Sequence, residues 1–192
     1  MADKNNMDSR FHLDGGELYL VDVEPMSINF HVRLGSQICG PESYIKLGAV
    51  LQEPGPDDFV TLHLHGRGGD TDGMVYLINQ VRKCKAGVHV LVEGPCYSAH
   101  SELALCGQSL TMMPNTFLMF HNYSGGDYGK GAEMKMSVKE QDRHLSTVTK
   151  QICFPFLTDE EIKGIVGDRD IFIHWDDKDL KTRLKRHYGA KK

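Results

Sequence analysis

Val88-His89-Val90-Leu91-Val92-Glu93-Gly94-Pro95-Cys96-Tyr97-Ser98-Ala99-His100-Ser101-Glu102-Leu103-Ala104-Leu105-Cys106-Gly107 is the stretch on which the fold turns. Val88 to Val92 is mostly apolar and β-branched, which suits a buried strand. Ser98 to Cys106 reads as a short, mostly apolar helix, and Gly107 is a natural stop. Ser98 therefore stands where a strand hands over to a helix. At such a junction backbone N–H groups are unpaired and the helix dipole favours negative charge. A serine there has a ready electrostatic partner for an oxyanion, so Ser98 is the candidate nucleophile.

Working back toward the N-terminus, Phe59 to His65 reads as a strand that breaks at Gly66-Arg67-Gly68-Gly69. Asp70 or Thr71 then caps a helix running to about Lys83. The N–H groups of Gly68 and Gly69, free of Cβ obstruction, are candidate oxyanion donors together with that of Ala99. Upstream lie two strands, Glu17 to Val23 and Ser27 to Leu34, and a helix from Pro41 to Gln52. Residues 1–16 are polar and end in Asp14-Gly15-Gly16, so they are expected to form a flexible arm. Residues 17–192 form a single domain.

Working forward, Thr116 to His121 is a strand and Ser124 to Gly129 a glycine-rich loop. A long helix covers about Ala132 to Ile152. Thr158 with Glu161 forms a capping box, Gly167 stops that helix, and a short strand follows Asp170 before a charged last helix. Strand and helix alternate at a spacing that implies right-handed βαβ units, an α/β fold and active groups at strand C-termini.

A serine nucleophile needs a base, and the base needs an orienting group. His121, at a strand end, is the candidate base. Asp170 is the candidate acid, with Asp168, Asp176 and Asp177 as rivals. On the helix after Ser98, His100 points away from the serine, which makes it a poor base, whereas Glu102 shares its face. Cys96 is expected to pack. His63 and His65 alternate on one strand without a third ligand at suitable spacing, so no metal is expected.

Composition bounds the partners. With 22 basic against 26 acidic residues the net charge is -4, so no overall basic field exists for nucleic acid. Five scattered cysteines without a C-x-x-C pair argue against a disulfide scaffold and for a reducing compartment. No apolar stretch reaches the roughly 18 residues of a membrane span. A cytoplasmic protein is expected.

Taken together, the glycine loop, the Gly94 to Ser98 approach with its helix and Gly107, Pro114-Asn115 before Met119-Phe120-His121, Gly125-Gly126, and Asp170 before a strand resemble the ClpP-like serine peptidases of the ClpP/crotonase superfamily. The likeness spans roughly Gly35 to Leu180. It implies a ClpP/crotonase-like fold of repeated βαβ units with a long protruding assembly helix. It also implies a Ser98, His121, Asp170 triad, an oxyanion hole from Gly68 or Gly69 with Ala99, and hydrolysis of polypeptides through an acyl-enzyme without a cofactor. The implied assembly is a homo-oligomeric ring, single or stacked. The chain departs from the pattern at Arg67, Asp70, Cys96, Tyr97 and His100, where bulk and charge crowd the nucleophile. Its arm does not resemble the segment with which the family meets an ATPase unfoldase, so a standard ATPase partner is not expected. Such departures suit divergent, phage-encoded members. The alternatives are a crotonase-type acyl-CoA enzyme and a non-catalytic ring or scaffold subunit.

Overall fold

The computed structural model describes residues 11–13, 16–24, 27–126 and 128–189, with side chains from residue 27 onward. Its centre is an eight-stranded mixed sheet. Strands β3 (Ser27–Leu34), β4 (Phe59–Gly66) and β5 (Gly87–Tyr97) run parallel. At one edge β1 (Phe11–Leu13) and β2 (Gly16–Glu24) extend the sheet antiparallel to β3. Within the expected N-terminal arm, Phe11 to Leu13 is thus a paired strand; residues 1–10, 14 and 15 of that arm lie outside the described residues.

β5 is longer than its apolar run and changes neighbours along its length. His89 to Val92 pair with β6 (Ser109–Met112), whereas Cys96 and Tyr97 pair with β7 (Phe117–Phe120). The antiparallel β8 (Ile171–His174) closes the far edge, with Phe120 opposite Ile171. This switch carries the end of β5 away from β6 and toward β7, which places Ser98 beside the strand that leads directly into His121.

The connections follow sequence rules. Pro41–Tyr44 is a 3-10 turn leading into α1 (Ile45–Val50), so the single helix expected there is divided. α2 (Thr71–Lys83) starts at Asp70, whose side chain accepts from the Gly73 N–H at 2.7 Å. α3 (Ala99–Ala104) follows Ser98, and α4 (Gly131–Cys153) is the long helix. α5 (Asp159–Val166) opens with the Thr158–Glu161 capping box, and α6 (Leu180–Gly189) ends the described chain.

Val32, Leu62, Leu64, Val90, Val92 and Leu118 from the strands meet Leu77, Ile78 and Leu103 from the helices in one continuous core. Each such side chain contributes about 1.5–3 kcal/mol of burial. α4 joins this core through its C-terminal part, with Val148, Ile152 and Cys153, and leaves Met136 and Val138 exposed. The fold is the α/β arrangement expected. No helix among the described residues is long and apolar enough to cross a membrane.

Candidate active site

Ser98 is the hinge between β5 and α3, with φ 55° and ψ −125°. Positive φ is uncommon for a non-glycine residue and is found where the surroundings over-determine a functional turn. Two sets of bonds do so here. The Ser98 N–H donates to the Met119 carbonyl at 2.8 Å, and its own carbonyl accepts from the N–H groups of Ser101 and Glu102. Buried Ser101 adds a clamp: its hydroxyl donates to the Cys96 carbonyl at 2.8 Å and accepts the Met119 N–H at 3.0 Å. The first turn of α3, the end of β5 and the middle of β7 are therefore stitched together around the serine.

The glycine loop runs alongside. Gly68 has φ +91°, and a Cβ there would lie 2.8 Å from the Ser98 Cβ and 3.0 Å from the Tyr97 carbonyl. Only glycine lets the loop approach so closely. The loop is tied to the preceding segment, since Ile38 donates to the Gly68 carbonyl at 2.9 Å and Asp70 donates to the Ile38 carbonyl at 2.8 Å. The Gly68 N–H, one of the expected oxyanion donors, instead donates to His100 Nδ1 at 3.0 Å. Gly69 and Ala99 make no such backbone bond among the described residues, and Ala99 occupies the first position of α3, where helical N–H groups have no partner within the helix.

His100 points away from Ser98, as the helical periodicity requires, but the side chain has a different task. It is fully buried, packed where Gly66 leaves room for its ring. Burial, and then the neighbouring His65, hold its pKa down to about 4, against an opposing pull from the Leu34 backbone. A neutral ring accepting at Nδ1 carries its proton on Nε2. Sequence reasoning set His100 aside as a base and missed its part in holding the glycine loop; the signal for it is the coincidence of a bulky residue after the serine and a bare glycine, Gly66, before the loop.

Ser98 and His121 line one cavity of about 320 Å³, together with Gly69, Ala99 and Glu102. His121 follows directly on β7, and Asp170 directly precedes β8, so the Phe120–Ile171 pairing brings the two positions to the same end of the sheet. No hydrogen bond joins Ser98, His121 and Asp170 to one another among the described residues. Asp170 is exposed, while its rival Asp168, at φ 64°, accepts from Asn122 Nδ2 at 3.1 Å. Asp168 is thereby engaged in holding the residue after His121.

Glu102, one turn after Ser98, accepts from the Thr149 hydroxyl at 2.9 Å through Oε1. Burial raises its pKa to about 7, with the Thr149 bond opposing. Cys96 is buried, with its thiol pushed up to about 12 by desolvation, in keeping with packing. His63 is hydrogen-bonded to His31 at 2.9 Å and to Glu93 at 2.7 Å. No group of three potential metal ligands occurs among the described residues.

The family model for Clp protease matches residues 30–175, well over half of the chain, so the chain belongs to the Clp protease family. No curated protein matches the chain.

Proposed function

We propose that this member of the Clp protease family is a serine endopeptidase that hydrolyses unfolded or small polypeptides through an acyl-enzyme on Ser98. The observation that carries this reading is the strained Ser98 turn, which faces a cavity shared with His121 and a glycine loop in close contact. In the reaction His121 takes the Ser98 proton as the hydroxyl oxygen attacks the scissile carbonyl. Gly69 and Ala99 donate N–H groups to the oxyanion, and His121 returns the proton to the leaving amine. Water then repeats the sequence on the ester, releasing the acid and restoring Ser98. Asp170 orients the imidazole and stabilises its charged form.

The chain assembles as a homo-oligomeric ring, and the exposed flank of α4 is the surface through which two rings stack, a reading supported by Met136 and Val138 standing in solvent. Ser98→Ala should abolish peptide hydrolysis while leaving the assembly and its thermal unfolding unchanged. Normal cleavage by that variant would sink the proposal. The lack of hydrogen bonds within the triad favours one second reading, a ring subunit without turnover. That reading gains if an intact oligomer fails to react with a serine-directed phosphonate.

A further inference from the structure

Resting on Ser98 as the nucleophile, we infer that Glu102 is the base of the pocket that receives the P1 side chain, on the acyl side of the scissile bond, and that this pocket selects lysine or arginine. Glu102 lies four residues after Ser98 on the same face of α3, a rise of about 6 Å along the axis. The cavity that opens at Ser98 reaches it, between Met74 of α2, Leu145 of α4 and Ile165 of α5. Those three walls suit the aliphatic stem of a long side chain. Glu102 lines the same cavity, and the assignment puts its carboxyl group at the end of that stem.

The carboxyl group is half satisfied. Oε1 accepts from Thr149, while Oε2 is sealed from solvent and has no hydrogen-bond partner among the described residues. A buried polar oxygen without a donor is costly, and an ionised one more so. No lysine or arginine pairs with Glu102 among the described residues; Arg67, which also lines the cavity, is held over the Tyr97 ring with its guanidinium carbon 6.0 Å from the centroid. Among the described residues no cation serves Glu102, and a substrate ammonium or guanidinium supplies both the missing donor and the missing charge. A leucine or methionine at P1 fills the apolar walls and leaves Oε2 bare. Were Glu102 only a tether between α3 and α4 through Thr149, it would stabilise the fold without affecting which residue is accepted.

The test uses the full-length assembly and two peptidyl diphenyl phosphonates that differ only in carrying lysine or leucine at P1, with Ser98 labelling followed by intact mass. The lysine probe should react about 10-fold faster or more. Glu102→Gln should lower that ratio by a similar factor, and Glu102→Leu should invert it. Equal or faster labelling by the leucine probe, or an unchanged ratio in Glu102→Gln, overturns the P1 assignment while leaving Ser98 as nucleophile. Absence of labelling by both probes overturns the peptidase reading and this assignment with it. The parent ratio is measured on the unaltered protein, so it decides the matter even if a variant fails to fold.

Discussion

Replacing His100 by asparagine should unmask a pH dependence that the parent protein conceals. Asparagine places an acceptor oxygen near the position of Nδ1 but cannot titrate, so the bond from the Gly68 N–H survives and the proton-linked contribution goes. His100 sits at about 4 in the fold, below its ordinary 6.5, because burial disfavours the charged ring. A depressed histidine contributes full stability above about pH 6.5 and loses it as pH falls toward 4. Glu102 sits at about 7, above its ordinary 4.5. A raised carboxyl group has the opposite sign: its contribution is present below about pH 4.5 and is lost as pH rises through 7.

Between about pH 7.5 and pH 5, linkage makes acidification cost about 2 kcal/mol through His100 and return about 2 kcal/mol through Glu102. The Glu102 figure is an upper one, since the residue is partly open to the cavity. The two nearly cancel in the parent. In His100→Asn only the Glu102 contribution remains, so the difference in unfolding free energy between the two pH values should shift by about 2 kcal/mol in favour of acid relative to the parent. Urea unfolding at equal protein concentration, followed by the fluorescence of Trp175, the single tryptophan, measures it. Groups common to both proteins drop out of the comparison. An identical pH slope in parent and variant would refute the claim that the glycine loop rests on a buried neutral imidazole.

Two further outcomes test the site. Gly68→Ala drives a Cβ to within 2.8 Å of the Ser98 Cβ at a φ that L residues rarely adopt, so it should cost about 1–3 kcal/mol of stability and remove most peptidase activity, measured by urea unfolding and peptide turnover. Asp170→Asn should lower kcat by several orders of magnitude, about 10⁴-fold in the best-studied triads, with little change in KM. Asp168→Asn should act more weakly, through the position of Asn122. The reverse ranking would transfer the orienting role to Asp168.

Much of this architecture is legible in the chain because its signals are local. The Asp70 cap and the Thr158–Glu161 box mark helix starts through bonds between residues three apart, and both are found where the sequence puts them. β6 is not legible. Ser109 to Met112 is short and half polar, and it is a strand only because β5 offers it a parallel edge. The apolar run that reads as this strand ends at Val92, yet the strand continues to Tyr97 because β7 takes over the pairing. At the site, the serine and the face of Glu102 follow from helical geometry. The role of His100 does not, since a helical wheel describes one helix, and the space for this ring is created by Gly66 on a different element.

The Ser101 clamp has a mechanical consequence. Because one hydroxyl grips both the Cys96 carbonyl and the Met119 N–H, while Ser98 itself is bonded to the Met119 carbonyl, Ser98 and the strand that leads to His121 are tied to each other through the backbone. Sliding β7 against β5 and α3 to bring imidazole and hydroxyl together would break both Met119 bonds at once, those to Ser101 and to Ser98. On the proposed assignment, bringing imidazole and hydroxyl together is therefore a matter of side-chain rotation at His121 and Asp170, and the degrees of freedom available to an activator are torsions, not strand shifts.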